Sequence, residues 1–308
     1  MKKIFALLSI ICITNMFAQT TEEQEIEKML KIDQELKYQT GTINFSSGNA
    51  TLNVPKGFKF LDGAQTQKVL TDLWGNPEDK TIIGSILPEN KGVLGGDSWM
   101  FVINYVEDGF VKDGDADDIN YDDLLKDMKE EIAAANTDRT AQGFPTIQLM
   151  GWASKPFYDK NLKVLHWAKE LKFGTDETNT LNYDLRVLGR KGMYNISAVA
   201  GMAQLNEVKN SIPLIIKSVQ YKDGFKYSDF DEDNDHVAEW TIGGLIAGKV
   251  LAKVGFFAVL AKFGKFIVIG LIAGFGIIKK FFFGNKEQKM TKHEVTAPKN
   301  EDQTTLEE

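Results

Sequence analysis

Apolar residues change period several times along this 308-residue chain, and each change marks an element. Ile26, Met29, Leu30 and Leu36 recur at helical spacing behind Thr21 and Gln24, a capping box, so residues 20–38 are predicted to form an amphipathic helix. The stretch from Thr42 to Leu61 alternates instead, and turns at Ser47-Gly48-Asn49 and Pro55-Lys56-Gly57, which predicts short strands. A helix over Ala64–Trp74 follows, stopped by Gly75 and Pro77. Two strands are predicted at Thr81–Leu87 and Trp99–Glu107. Behind Asn120, the spacing of Tyr121, Leu124, Leu125, Met128 and Ile132 predicts a helix over 121–135. Four strands come next, Thr146–Ala153, Lys163–Phe173, Thr180–Leu188 and Met193–Ala200, with "SKPFYDKN" read as the first loop between them. A helix from Leu205 to Val219, interrupted near Ser211-Ile212-Pro213, closes the pattern. The fold class is α+β, an antiparallel sheet built as a meander and flanked by helices. One domain over residues 39–235 is expected, and residues 20–235 should fold alone.

The two ends of the chain break these periods. Lys2 and Lys3, an apolar core from Ile4 to Ile13 and the exit Phe17-Ala18-Gln19 read as a secretory signal peptide over residues 1–19, with an uncleaved anchor as the alternative. Residues 241–283 hold no acidic side chain, yet carry Lys249, Lys253, Lys262, Lys265, Lys279 and Lys280 among glycines and large apolar residues. This stretch is read as a membrane anchor region. Its longest uncharged run, Phe266–Ile278, makes only about 20 Å of helix against a hydrocarbon core of about 30 Å. Snorkelling by Lys265 and Lys279 extends it to a span over about 263–283. Lys249 and Lys253 fall on a different helix face from Lys262 and Lys265, so a break near Gly255 or Gly264 is expected, giving one span or a helical hairpin. Lys279, Lys280, Lys286, Lys289 and Lys292 favour a cytoplasmic C-terminus and hence one span, followed by a disordered tail over 284–308. The expected location is the bacterial inner membrane, with the main domain periplasmic and membrane lipid as one partner. Gly244-x-x-x-Gly248 and Gly270-x-x-x-Gly274 permit self-association through the anchor, although glycine-rich anchors carry such spacings without pairing.

Charge and cysteine use then narrow the chemistry. Of 36 basic and 43 acidic residues, 10 and 6 lie after residue 240, leaving 26 and 37 before it and a net charge of about -11 there. Such a surface repels phosphates, so nucleic acid is not expected as a partner. Cys12, the one cysteine, lies in the signal segment, so the exported part has no thiol for disulfides, catalysis or metal. Ile10 and Ile11 stand where a lipoprotein signal wants a small residue, which argues against lipidation.

Candidate sites are few. Asp113, Asp115 and Asp117 copy the first ligand positions of a calcium loop, but Asp118 and Leu124 stand where Gly and Glu belong, so they are weak calcium candidates and no metal is assigned. Asp231, Asp233 and Asp235 fail similarly. His166 has only His236 and His293 for company, which gives no zinc spacing, and no nucleophile elbow, phosphate loop or dinucleotide fingerprint occurs. No catalytic residue and no cofactor are assigned. The ligand-binding candidates are Trp152, Tyr158, Asp159, Asn182, Arg186 and Arg190. In an alternating strand Asn182, Asp184 and Arg186 share a face, with Trp152 and Tyr158 arriving from a preceding loop. A buried Arg186 pair with Asp159 or Asp184 explains the same residues without a ligand.

The segments "DGFVKDGDAD" (108–117), "NTDRTAQGFP" (136–145), "GWASKPFYD" (151–159), "LHWAKEL" (165–171), "LNYDLRVLGRKG" (181–192) and "LIAGKVLAKVG" (245–255) resemble the bacterial membrane-anchored family called domain of unknown function 2167. The resemblance covers most of residues 40–265. It implies an exported domain on a C-terminal anchor and brings no agreed activity. The order of elements is also similar to sandwich folds of the type found in the photosystem extrinsic protein and the Ran-binding Mog1 protein, an analogy of fold alone. The reading is a membrane-anchored extracytoplasmic binding or assembly module of the cell envelope, acting with other envelope proteins or itself. The alternative is an envelope enzyme, such as a hydrolase, using dispersed polar residues.

Overall fold

A long antiparallel sheet organises the molecule, and each of its faces is covered by different elements. The computed structural model describes residues 24–248, apart from Pro77. The signal peptide, the capping residue Thr21, the span over 263–283, the second glycine motif and the tail lie outside the described residues. Helix α1 covers residues 24–35. Strands β1 (Thr42–Phe45) and β2 (Ala50–Asn53) form a hairpin, and β3 (Phe58–Asp62) leads into helix α2 (Gly63–Lys68), which widens into a π-helical turn at Val69–Leu73. Strands β4 (Ile82–Pro88) and β5 (Met100–Val106) precede helix α3 (Tyr121–Ala141). The meander is β6 (Ile147–Asp159), β7 (Val164–Phe173), β8 (Thr180–Leu188) and β9 (Met193–Gly201), then come helix α4 (Leu205–Ser218), β10 (Val219–Tyr221) and α5 (Ile242–Ala247).

Seven strands pair in the order β3-β4-β5-β9-β8-β7-β6, every neighbour antiparallel. The expected single sheet is accompanied by a second one, of three strands in the order β1-β2-β10. The small sheet and α4 close one face of the large sheet. Phe45, Leu52, Val208, Ile212 and Ile215 meet Phe101, Ile103, Leu185, Tyr194 and Ile196 there, all buried. The β1–β2 turn has to come close to that core. Gly48 takes φ 72°, and an added Cβ would stand 2.4 Å from the Tyr105 ring, so only glycine fits.

Among the described residues, helices cover the opposite face at its two ends and not in its middle. At the β3–β5 end, α1 and the α2 turn bring Met29, Ile32, Leu70 and Leu73 onto Leu61, Leu87 and Met100. At the β6–β7 end, α3 and α5 bring Met128, Ile242, Leu245 and Ile246 onto Leu149, Leu165 and Trp167.

Three elements differ from the pattern read in the sequence. Strand β6 continues through Ser154–Asp159, which was assigned to a loop, so Trp152 and Tyr158 both lie on a strand. Its register shifts three times, and it is an edge strand, where Pro156 costs no ladder hydrogen bond. Helix α4 runs unbroken past Pro213, because Val208, Ile212 and Ile215 are buried on one side of it, and the Ser211 hydroxyl donates to the Glu207 carbonyl at 2.8 Å. Helix α3 extends to Ala141, where Asn136 clips the start of β6 by donating to the Ile147 carbonyl and accepting from its N–H, both at 2.8 Å.

The start of the stretch assigned to the anchor also belongs to the domain core. Ile242, Leu245 and Ile246 are buried, and α5 ends at Gly248 in the left-handed conformation, φ 72°. Gly244 and Gly248 therefore sit within and at the end of a short docked helix. No helix among the described residues is long and apolar enough to cross a membrane.

Candidate functional site

Alternation along β8 and β9 sends two different kinds of residue to the two faces. Toward the closed face go Leu181, Tyr183, Leu185 and Val187 from β8, and Tyr194, Ile196, Ala198 and Ala200 from β9, all buried. Toward the open face go Asn182, Asp184 and Arg186, and Asn195, Ser197 and Val199. Of these six only Asp184 is buried, and the other five are partly exposed. In the middle of a seven-stranded sheet, this is the floor of a groove between two helical covers.

Register fixes how the floor is arranged. Asn104, Asn195, Arg186 and Leu165 stand in one row across β5, β9, β8 and β7, and Val102, Ser197, Asp184 and Trp167 in the next. A third row holds Met100, Val199, Asn182, Lys169 and, on β6, Trp152. Asp184 is the centre of charge. It accepts from the Ser197 hydroxyl at 2.7 Å, and the ammonium of Lys169 and the guanidinium of Arg186 stand 3.6 and 3.5 Å from its carboxylate. Burial pushes its pKa up, but Lys169, Arg186 and Ser197 together outweigh burial and hold it below the usual carboxylate value. Burial lowers the pKa of Arg186, partly offset by Asp184, from a value so high that the group stays charged. The guanidinium lies over the Trp167 ring, 5.0 Å from its centroid, and donates one hydrogen bond, to the Leu185 carbonyl at 2.9 Å.

The groove also holds polar atoms that the fold leaves unpaired. Six buried side-chain polar atoms among the described residues have no hydrogen-bond partner, and two of them, Asn195 Oδ1 and Trp167 Nε1, lie in the groove. Buried polar atoms are normally paired, so these two leave unused hydrogen-bonding capacity in the groove floor.

Of the six candidate ligand residues, Asn182 and Arg186 lie in the groove and Trp152 at its border, its indole donating to the Tyr121 carbonyl at 3.2 Å. The other three are elsewhere, each occupied. The Tyr158 hydroxyl donates to Asp113 at 2.7 Å, and burial and that carboxylate push its pKa well up, which makes it a fixed donor. Asp159 caps the β6–β7 turn by accepting from the N–H groups of Asn161 and Leu162, both at 2.9 Å. It does not pair with Arg186. Arg190 pairs with Asp235 at 2.6 Å and donates to the Gly224 carbonyl, tying the C-terminal segment to the β8–β9 turn.

The aspartates of the calcium-like run diverge. Asp113 takes Tyr158 and Lys163, Asp117 pairs with Lys160, and Asp115 accepts from the N–H groups of Ile242 and Gly243 at 3.1 and 3.0 Å, capping α5. Among the described residues no group of three or more His, Cys, Asp or Glu could hold a metal ion. His166 points to the closed side of the sheet, 3.1 Å from the Tyr183 hydroxyl. Lys169, Asn195 and Ser197 were missed as site residues. The signal for Asn195 and Ser197 was a shared phase, polar residues at every second position of the two strands joined by the Gly189–Gly192 turn; Lys169, on β7, is placed by register alone.

A family model described as Protein of unknown function (DUF2167) matches residues 37–276, well over half of the chain. Among curated proteins none matches. Solved structures with similarity include cyanobacterial PsbP from Synechocystis sp. PCC 6803, at 8% identity and a TM-score of 0.34, covering 61% of this chain and 94% of that one. The Ran-binding protein Mog1p of Saccharomyces cerevisiae is 10% identical with a TM-score of 0.30, covering 64% and 100%. LpqN of Mycobacterium tuberculosis, whose structure is described as involved in cell envelope biogenesis, is 10% identical with a TM-score of 0.29, covering 63% and 94%. At these scores the three likenesses carry no argument about what the chain binds.

Proposed function

This chain is a member of the DUF2167 family, and on that premise we propose that it is an extracytoplasmic binding module of the bacterial envelope, held at the inner membrane by its C-terminal region. The ligand lies in the groove over β8 and β9. One observation carries this reading: among the described residues, the middle of the large sheet is polar, partly exposed and left uncovered by helices that cover both ends of the same face. A sheet needing only stability would bury apolar residues there, as the closed face does. Recognition suits the groove better than hydrolysis. Its carboxylate is held ionised by two cations and a hydroxyl, whereas a general acid or base works best with a pKa near the operating pH. The acid-free, lysine-bearing stretch of residues 241–283 supports the membrane attachment.

Filling the groove tests the reading. Val199→Trp adds bulk to the floor without changing charge, and Leu214→Trp changes the exposed side of α4 on the closed face. In a strain lacking the protein, the first variant should fail to complement at normal protein levels and the second should succeed. Full complementation by Val199→Trp would refute the groove as the working site.

A further inference from the structure

We infer that the groove takes a carboxylate with a hydrogen-bond donor on the adjacent carbon, as at the C-terminal residue of a peptide or in a 2-hydroxy acid, an inference that rests on the groove being the binding site. Three features of the floor specify that chemistry. First, two cations share one carboxylate there, which leaves a single positive charge in excess inside an otherwise acidic domain. A monoanion balances it, whereas a phosphate dianion would overcompensate beside the buried Asp184. Second, the donors are underused. A guanidinium has five N–H groups, and among the described residues that of Arg186 makes one hydrogen bond, plus the 3.5 Å contact with Asp184, although the side chain is only 15% exposed. Lys169 meets Asp184 only loosely, at 3.6 Å. A planar carboxylate fits the Arg fork with two parallel bonds.

The third feature is an acceptor. Asn195 Oδ1 is buried without a donor, and Asn195 stands directly across from Arg186 in the β8–β9 register, on the same face. Side chains so placed start about 5 Å apart. That distance suits a carboxylate and the N–H or O–H on its neighbouring atom, one group for each residue. A bare anion would leave Asn195 unpaired.

Calorimetry on the full-length chain in detergent micelles tests this, with N-acetylalanylalanine, lactate, inorganic phosphate and N-acetylalanylalanine methylamide as probes. N-acetylalanylalanine or lactate should bind, the stronger of the two assigning the donor to N–H or O–H. The methylamide and phosphate should bind at least about tenfold more weakly, the worth of one charge-assisted hydrogen bond. Arg186→Lys keeps the charge and removes the fork, and Lys169→Met removes the second cation. Each should weaken the carboxylate by about tenfold or more; Arg186→Lys should leave the melting temperature little changed, whereas Lys169→Met should lower it, because buried Asp184 then keeps Arg186 alone. Binding of the methylamide or phosphate as tight as the best carboxylate, carboxylate binding unchanged in both variants, or binding of no probe would overturn the ligand class. The groove itself is judged separately by complementation with Val199→Trp, so either idea can fail alone.

Discussion

Arg186 neutralises buried Asp184, and in the proposed function it also offers donors to the ligand. Its partner was legible in outline: alternation places Asn182, Asp184 and Arg186 on one face, and the structure selects Asp184 over Asp159. What alternation in one strand could not tell is which residues arrive from neighbouring strands, since register decides that, so Lys169, Asn195 and Ser197 stayed hidden. Arg186→Ala should cost about 3 kcal/mol at pH 7, because buried Asp184 is then left with Lys169 as its one neighbouring cation. The sign with pH follows from Asp184. Its folded pKa lies below the unfolded value of about 3.9, so the pair stabilises above that pH and its contribution is lost as pH falls through the folded value. Urea unfolding of both proteins should therefore show a deficit that shrinks below about pH 4. A deficit that is absent at pH 7, or that grows in acid, would contradict this role.

At the scale of elements, boundaries set by local chemistry were readable and boundaries set by packing were not. Asn120 accepts from the N–H groups of Asp122 and Asp123 and starts α3 where the sequence places it. The end of α3, the long β6 and the unbroken α4 depend on Asn136, on an edge position and on a buried helix face, none of which is local. Helix α5 is the element with the largest consequence. Its apolar residues resemble the anchor that follows, yet they are buried against α3, under a cap from Asp115 more than a hundred residues upstream. The folding unit therefore extends beyond residue 235. A chain ending at 235 loses Ala238, Ile242, Leu245 and Ile246 from the core, and full burial of each large aliphatic is worth about 2 kcal/mol. By chemical denaturation it should be several kcal/mol less stable than one ending at 248. Equal stability would show that α5 docks without contributing.

For the molecule as a whole, the fold class followed from the order of periods, and the second sheet did not, because β1, β2 and β10 join residues from opposite ends of the domain. The resulting shape explains how one face can be sealed while the other is left open for a ligand. The central claim is an open groove on the outer side of the membrane, and the scarcity of cysteine makes it directly measurable. A Val199→Cys variant of the full chain should be labelled by a maleimide that cannot cross membranes, in cells whose outer layer is opened and whose inner membrane is intact, and labelling should slow when the groove is occupied. Labelling that begins only after the inner membrane is ruptured would contradict the location, and no labelling under either condition would contradict the open groove.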